Sequence, residues 1–172
     1  MNQDNCDAGR IVDRLAIADV LHRHSRGLDR SDAALIRGCY WPDAELDYGV
    51  YKGPAHPFAD LVVGALTDSY ELTRHSISNT TFAFDGEQAR TESYVDANHL
   101  FPGGTQELRV GSRYLDLLEK REGKWRMLQR QVVIDWSQSS EFPDERDSDA
   151  FGAFAKGRND GSDPLHSFLR GE

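Results

Sequence analysis

The chain has 172 residues, of which 38% are hydrophobic and 28% charged, a composition typical of one globular domain and unlike that of a disordered or membrane-spanning protein. Twenty-nine acidic residues against twenty basic ones give a formal net charge of -9, which disfavours binding to nucleic acid. A polar amino terminus without an export signal predicts a cytoplasmic protein with no membrane partner, and the two cysteines, Cys6 and Cys39, are predicted to be free thiols.

The first part of the chain alternates between helical and extended patterns. Apolar residues at helical spacing, beginning with Ile11 and Leu15, predict a long first helix. Ser31 is a suitable cap for a short second helix. The predicted elements are helices over residues 10–28 and 32–39, a strand over residues 45–51 and a helix over residues 57–69.

From residue 71 onward the hydrophobic period changes to two, which is the period of a strand with one buried face. Turn sequences such as Asp85-Gly86 separate the runs and favour hairpins between neighbouring strands. Helices followed by an antiparallel meander indicate an α+β domain with its sheet curled around the first helix. The four predicted strands cover residues 71–84, 88–100, 106–119 and 124–136.

The end of the chain, residues 138–172, is rich in Ser, Asp, Glu and Gly. It is predicted to be an extension to a domain that covers residues 1–137. Three interpretations stay open: a lid over a pocket, an arm that packs against another subunit, or a partly disordered terminus.

The last predicted strand carries an arginine in an otherwise apolar face. Period-two spacing places Arg130 on one face of this strand and Met127 on the other. Because desolvation of a guanidinium is costly, Arg130 should meet either a carboxylate in a buried bridge or an anionic ligand in a cavity. The apolar residues predicted on the face of Arg130 are Leu128, Val132, Ile134 and Trp136.

A carboxylate and a histidine far apart in the sequence form the most informative pair. Asp29 follows the first predicted helix, and His75 shares a strand face with Ile77, Asn79 and Ala83. A helix laid across a curled sheet could bring Asp29 and His75 together, where the carboxylate would fix the ring tautomer and stabilise the imidazolium. A histidine that only packs in the core is the alternative.

Further polar residues occupy positions that could face the same cavity. His24 continues the inward face of the first helix, Tyr48 could donate a phenolic hydrogen bond, and Ser112 and Tyr114 share a strand face. In each case simple packing or a surface position is the alternative. The sequence has no glycine-rich phosphate loop, no nucleophile elbow and no strong metal motif, so no cofactor is predicted.

Several spaced segments resemble the SnoaL-like members of the NTF2-like superfamily. The resemblance covers about residues 8–137. It implies a cone-shaped α+β barrel in which helices pack against a strongly curved, mainly antiparallel sheet. The segments that carry it are residues 27–32, 46–48, 73–79 and 122–126.

Within that family the pattern is most similar to scytalone dehydratases and hexachlorocyclohexane dehydrochlorinases, which use an Asp/His dyad without a metal or an organic cofactor. The resemblance places Asp29 and His75 at the dyad, and Tyr48 at a tyrosine that assists the substrate carbonyl through water. It places Arg130 at an arginine of the dehydrochlorinase site and Ser112 at a pocket hydroxyl of the dehydratases.

The chain also departs from both groups. His24 stands where the dehydrochlorinases have a lysine, Tyr114 stands where the dehydratases have an asparagine, and His99 corresponds loosely to their second pocket histidine. Together with Asn79 and Ser112, these residues are predicted to bind a small, hydroxylated and aromatic substrate.

The predicted function is a cofactor-independent lyase. His75, held by Asp29, removes a proton, and water or another small group leaves while Tyr48 and Arg130 stabilise the developing charge. The same residues could release formaldehyde from lignin-derived diarylpropane diols by C–C cleavage, or could serve a polyketide cyclase or an isomerase. Non-catalytic binding of a small ligand is the alternative from another class.

A homodimer or homotrimer is also predicted, because sheets of this family commonly pair through their outer faces. The outer sides of the long strands are expected to carry Phe82, Phe84, Leu115 and Leu117.

Overall fold

The structure, a computed structural model, describes residues 8–171, so the prediction on Cys6 lies outside the described residues. In that part of the chain no helix is long and apolar enough to cross a membrane. The elements in chain order are α1 (Ala8–Asp29), α2 (Ala33–Gly38), β1 (Tyr40–Asp47), β2 (Lys52–Pro54), α3 (Ala55–Ser69), β3 (Leu72–Asp85), β4 (Gln88–Leu100), β5 (Gln106–Arg121), β6 (Lys124–Glu141) and α4 (Pro164–Arg170).

The strands of the described chain form one open six-stranded sheet in the order β2-β1-β6-β5-β4-β3. Strands β3 to β6 are consecutive antiparallel neighbours, whereas β1 runs parallel to β6 and antiparallel to β2. The parallel pair arises because the chain passes through α3 to the far edge of the sheet before it returns strand by strand to β6. The predicted α+β class with a mainly antiparallel sheet is confirmed.

Helix α1 supplies one wall of the core. Its buried apolar residues join residues of α2, α3 and the sheet in one cluster, and full burial of an aliphatic side chain contributes about 1.5–3 kcal/mol. Ile11 and Leu15, predicted on the same apolar stripe, are instead 52% and 67% exposed, because Asp13 occupies the inward position and accepts hydrogen bonds from Trp125 and Lys120. The buried apolar residues of α1 are Ile17, Val20, Leu21 and Leu28.

Two boundaries near the start of the sheet differ from the prediction. The cap of α2 is Asp32, whose Oδ1 accepts from the backbone N–H of Leu35 at 2.8 Å, whereas Ser31 adopts a left-handed φ of 52°. Strand β1 begins at Tyr40, well before the predicted strand, because Tyr40 already pairs with Met127 of β6.

A β-bulge in β3 changes which residues face α1. The register with β4 shifts around Asn79, which has a φ of 48°, so the inward positions change from odd to even numbers. His75 faces α1 before the bulge, and Phe82 and Phe84 pack against the core after it. Two predictions are therefore wrong: Asn79 is exposed rather than beside His75, and Phe82 and Phe84 do not belong to the outer face.

A second bulge makes the predicted faces of β6 wrong in part. The register between β5 and β6 shifts at Leu118, so Met127 and Arg130 are both buried instead of lying on opposite faces. Ile134 and Trp136 are 58% and 51% exposed, because β6 continues beyond the core cluster. Only part of the predicted apolar face is thus in the core.

The C-terminal extension packs beside the end of α1. Strand β6 runs past residue 137 to Glu141. Arg146 then forms an ion pair with Glu71, just before β3, and the buried Asp163 lies 3.6 Å from Nε of Arg30. The extension therefore reaches from β6 across to the residue that follows Asp29.

Candidate active site

Asp29 and His75 meet where the end of α1 lies against the edge strand β3. Nδ1 of His75 is 2.7 Å from Oδ1 of Asp29, and the backbone N–H of His75 donates to Oδ2 at 2.9 Å. The hydroxyl of Thr73 donates to Oδ1 at 3.2 Å. The side chains of His75 and Asp29 are only 8% and 14% exposed, so this pair is held in a largely enclosed position.

The partner of His75 determines its tautomer. An ionised carboxylate only accepts hydrogen bonds, so Nδ1 of His75 carries the proton that points at Asp29. The lone pair of the neutral ring is then on Nε2, and this atom forms no hydrogen bond with any residue between 8 and 171. A ring held in this way can take up a proton at Nε2 and pass positive charge toward the carboxylate.

The local sequence at the end of α1 fixes the position of Asp29. A Cβ atom at Gly27 would lie 2.7 Å from Cγ1 of Ile36, so glycine permits the close approach of α1 to α2. The backbone N–H of Asp32 donates to the carbonyl of Gly27 at 2.9 Å and ends the helix. The chain turns away at once, and the carboxylate of Asp29 is left facing β3.

Arg130 lies in a second, fully buried polar cluster. Its Nε and Nη2 donate to the two carboxylate oxygens of Asp116 at 2.7 and 2.8 Å, and its Nη1 lies 3.0 Å from Nδ1 of His24. Nε2 of His24 lies 2.9 Å from the hydroxyl of Tyr40. Of the two interpretations that the sequence left open for Arg130, the buried carboxylate bridge is the one the structure contains.

Sequence reasoning missed Asp116 and Tyr40 in this cluster. A signal for Asp116 was available, because period-two spacing places it on the strand face of Ser112 and Tyr114. The structure adds that Asp116 is the direct partner of Arg130 in the β5–β6 register. No comparable signal marked Tyr40, which the sequence placed between a helix and a strand.

The buried cluster shifts the pKa values of its members. Burial, followed by the charge of Arg130, lowers the pKa of His24 well below its ordinary value. Burial alone would lower the pKa of Arg130, but the charge of Asp116 raises it well above the ordinary value. Burial also raises the pKa of Tyr114, whose ring centroid is 3.9 Å from Cζ of Arg130. All three side chains therefore keep one protonation state near neutral pH.

Two of the predicted site residues carry a buried polar atom that has no hydrogen-bond partner among the described residues. One is Nδ1 of His99, whose ring lies 5.4 Å from that of His75 and 4.6 Å from that of Tyr70. Burial, followed by the charge of His75, lowers the pKa of His99 to about 4. The other is the hydroxyl of Tyr48, whose ring packs 4.4 Å from Phe58. Unpaired buried groups of this kind are candidate contacts for a ligand.

Of the two remaining predicted site residues, one lies on the inner face of the sheet and the other does not. Ser112 is buried, and its hydroxyl donates to the carbonyl of Val95 at 3.4 Å, so it lies on the inner face as predicted. Asn79 does not join the site, because the bulge in β3 turns it outward.

A cavity of about 540 Å³ lies at the dyad, between the edge of the sheet and the C-terminal extension. Asp29 and His75 line one side, and Phe142, Asp144 and Arg146 of the extension line another. The extension thus forms part of the wall of the space next to the candidate base, and its role as a lid or as a subunit-packing arm stays a prediction.

Within residues 8–171, no three His, Cys, Asp or Glu side chains are grouped so that they could hold a metal ion. Cys39 is a free, buried thiol, as predicted, and its Sγ donates to the carbonyl of Leu35. Burial raises the pKa of Cys39 to about 11, so it remains protonated.

Comparison with known proteins identifies a matching domain family and several related proteins. The SnoaL-like domain family matches residues 9–131. Hexachlorocyclohexane dehydrochlorinase 1 from Sphingobium indicum is 26% identical over 125 residues, which cover 70% of this chain and 80% of that protein.

Solved structures show the same fold. A type 2 hexachlorocyclohexane dehydrochlorinase aligns with a TM-score of 0.70 and 22% identity over 76% of this chain and 90% of its own. A protein from Novosphingobium aromaticivorans provisionally named scytalone dehydratase aligns with a TM-score of 0.69 and 19% identity, covering 75% and 88%. A protein of cystatin-like fold from Nostoc punctiforme aligns with a TM-score of 0.59 and 22% identity, covering 72% and 92%.

Proposed function

The chain belongs to the SnoaL-like domain family, and we propose that it is a cofactor-independent lyase with Asp29 and His75 as its general base. Relatives named as a dehydrochlorinase and a dehydratase support a lyase-type activity. The observation that carries the proposal is the 2.7 Å contact between Nδ1 of His75 and Oδ1 of Asp29, which leaves Nε2 as the free basic atom.

In the proposed reaction, Nε2 of His75 removes a proton from carbon or from a phenol of the substrate. When the proton comes from carbon, the electron pair of the broken C–H bond forms a double bond, and the leaving group departs from the neighbouring carbon with its own bonding pair. When the proton comes from a phenol, the electron pair passes through the conjugated ring, and the leaving group departs from the benzylic carbon with its own bonding pair. Asp29 stabilises the imidazolium that results, and the proton then passes to the leaving group or to water. General-base catalysis of this kind contributes about 10²- to 10⁴-fold to the rate.

Tyr48 is proposed to stabilise the negative charge that develops on a substrate oxygen. Its buried hydroxyl has no partner among the described residues, so a substrate oxygen could accept its proton without breaking an existing hydrogen bond. Arg130 was predicted to share this role, but three of its N–H groups are already held by Asp116 and His24. We therefore propose that Arg130 acts on the site through His24 and the ring of Tyr114 rather than by direct contact.

The rings near the dyad support a flat, aromatic substrate. His99 lies beside His75, and Tyr70 lies against the ring of His99. His99 is neutral because its pKa is about 4, so its ring can pack on an apolar substrate face or form one hydrogen bond with a hydroxyl.

The proposal is tested with three probe compounds whose products differ. Hexachlorocyclohexane would release chloride, scytalone would lose water with a change in absorbance, and a diarylpropane diol would release formaldehyde. We expect elimination from at least one probe and its loss, by at least 10²-fold in kcat, in His75→Ala. His22→Ala is the matched control, because His22 is an exposed histidine on α1. Turnover of an accepted probe at the unchanged rate by His75→Ala would contradict the proposal.

The homo-oligomer remains a prediction. Leu115 and Leu117 line a groove of about 870 Å³ together with Phe82, Gln129 and Gln131, although Phe82 and Phe84 also pack against the core. A partner subunit on this face would therefore contact the two leucines.

A further inference from the structure

Three arginines line the cavity beside the dyad, and they differ in whether a protein group already holds them. Arg30 lies 3.6 Å from the carboxylate of Asp163, and Arg146 forms an ion pair with Glu71. Arg74 is exposed and forms no hydrogen bond, ion pair or ring contact with any residue between 8 and 171. Its guanidinium is therefore available to a ligand in the cavity.

The carboxylates of the cavity outside the dyad do not neutralise Arg74. Glu107 lies 3.0 Å from Nε of Arg109, and Asp144 lies 2.7 Å from Nε of Arg146. Each of these acids thus has a cation of its own. An arginine that only stabilised the fold would be expected to share one of them, and Arg74 shares neither.

A second unused donor stands directly opposite Arg74. Arg74 of β3 and Asn98 of β4 are partners in the strand register, so their side chains share one face with Cβ atoms about 4.5–5.5 Å apart. Asn98 is half-buried, lines the same cavity and has no hydrogen-bond partner for its side chain within residues 8–171. A guanidinium and an amide NH₂ thus present several N–H donors side by side.

Apolar side chains lie next to these donors on the same face. Leu72 and Leu100 are also direct partners in the register, and two residues along a strand correspond to about 7 Å. Both leucines line the cavity, and so does Phe142 of the C-terminal extension. The cavity therefore combines a cationic, donor-rich end with an apolar surface a few bond lengths away.

The position of β3 connects this surface with the general base. Arg74 and His75 are neighbours in the chain and leave the strand on opposite faces. Because β3 is the edge strand of the sheet, side chains from both of its faces line the one cavity beside it. A ligand held by Arg74 thus occupies the same cavity as the dyad.

We propose that Arg74 and Asn98 bind a carboxylate of the substrate while Leu72, Leu100 and Phe142 contact its aromatic ring. The substrate class is then a small aromatic carboxylate, because the planar guanidinium fork matches a carboxylate and the remaining acids of the cavity disfavour a doubly charged phosphate. The inference rests on the proposed lyase function only in calling this ligand the substrate, since binding itself needs no turnover.

Calorimetric titration with hydrocinnamate and its neutral amide tests the subsite. Wild-type protein should bind hydrocinnamate at least about tenfold more tightly than the amide, and Arg74→Gln should remove this preference. Arg90→Gln is the matched control, because Arg90 is an exposed arginine in the other groove of the sheet. Equal affinity of the wild-type protein for acid and amide, or tighter binding of benzyl phosphate, would overturn the proposal.

Variants of Asn98 test whether the amide belongs to the subsite. Asn98→Leu removes one donor, so Kd for hydrocinnamate should rise about three- to tenfold. Asn98→Asp adds a negative charge beside the bound carboxylate, so its Kd should rise further. Equal affinities of the two variants would contradict a carboxylate next to Asn98, and Arg74→Lys, which keeps the charge but loses the fork, should lie between wild type and Arg74→Gln.

NMR locates the binding site independently of affinity. In ¹⁵N–¹H spectra, hydrocinnamate should shift the backbone signals of Leu72, Arg74 and Leu100 and leave that of Arg90 in place. Shifts confined to the groove around Arg90 would overturn the assignment.

The two proposals fail in different ways. Hydrocinnamate should inhibit turnover of an accepted probe competitively, with a Ki that is raised in Arg74→Gln. If hydrocinnamate binds at Arg74 but His75→Ala keeps full activity, the general-base function is wrong and the carboxylate subsite stands. If His75→Ala is inactive but hydrocinnamate binds no better than its amide, the function stands and the subsite is wrong.

Discussion

Two histidines on the inner side of the fold have hydrogen-bond partners of opposite kinds: His75 at the edge of the sheet, and His24 of α1 in the buried cluster at its centre. At the edge, His75 faces the carboxylate of Asp29, which only accepts hydrogen bonds, so its free lone pair is on Nε2. In the centre, His24 faces the guanidinium of Arg130, which only donates, so its lone pair is occupied at Nδ1. The chemical class of the fixed partner thus decides whether a histidine can act as a base or only relay a hydrogen bond.

The largest effect is expected from removal of the negative charge of Asp29 at the edge of the sheet. In Asp29→Asn, the amide no longer stabilises an imidazolium and can hold the ring in the wrong tautomer, so we expect kcat to fall about 10²- to 10⁴-fold. The measurement is kcat on the accepted probe, with circular dichroism to establish that the variant is folded. Asp19→Asn, at an exposed carboxylate on α1, is the control and should keep its activity. Wild-type turnover in Asp29→Asn would place the base elsewhere.

Removal of the negative charge of Asp116, in the buried cluster, should lower the stability of the fold. Asp116→Asn leaves the buried charge of Arg130 without its counterion, and breaking such a pair costs about 3–5 kcal/mol in free energy of unfolding. Denaturation by urea measures the loss. The matched control is Asp60→Asn, which breaks an exposed pair with Arg37 and should have a much smaller effect. Similar losses of unfolding free energy for the two variants would mean that burial does not make the Arg130–Asp116 pair more important for stability than an exposed pair.

A third histidine, His99, lies beside His75 and should make the stability of the fold depend on pH. The pKa of His99 is about 4 in the folded protein, whereas an unfolded histidine takes up its proton near pH 6.5. The unfolded state therefore binds more protons between these values, so stability is full above about pH 6.5 and declines as the pH falls toward 4. One such histidine accounts for up to about 1.4 kcal/mol per pH unit.

This decline is measured by urea denaturation at several pH values between 4 and 7. His99→Gln should make the slope shallower, since it removes one group that protonates only on unfolding. Asp29, His75 and Tyr70 are the groups that face His99 in the fold. His22→Gln, at an exposed position, should leave the slope unchanged, and an unchanged slope in His99→Gln would mean that its ring protonates in the folded state.

The smallest effect is expected from removal of a single hydrogen bond that a neutral side chain, Thr73, donates to the dyad. Thr73→Val keeps the shape of the side chain but removes one donor to Oδ1 of Asp29, while the two contacts from His75 remain. We expect a loss of a few fold in kcat, in keeping with about 1 kcal/mol for one hydrogen bond. Thr91→Val is the control, because the buried hydroxyl of Thr91 has no partner among the described residues. A loss in Thr73→Val as large as that in Asp29→Asn would mean that Thr73 has a further role.

Much of the architecture followed from local signals. Strand β4 has the predicted bounds, and the hairpin turns fall at Gly86 and Gly123, both of which adopt the left-handed φ that such turns require. The helical spacing of residues 10–28 also identified α1, because period and turn chemistry are properties of neighbouring residues.

The errors share one physical cause. A bulge adds a residue to one strand and reverses the faces beyond it, so Asn79, Phe82 and Phe84 could not be placed by counting in twos. Such a bulge depends on the partner strand and the helix that packs on it, not on the residues of the strand alone. The same holds for Tyr40, whose parallel pairing with β6 joins segments far apart in the chain.

The sequence by itself determined the α+β class, the residue types available for chemistry and the expectation that Asp29 and His75 belong together. Only the tertiary structure decided which atom faces which: that Asp116 takes Arg130, that Arg130 occupies Nδ1 of His24, and that Nε2 of His75 is left free. The reason is that a residue type sets which hydrogen bonds are possible, whereas the direction of each bond depends on a partner that long-range packing brings within 3 Å.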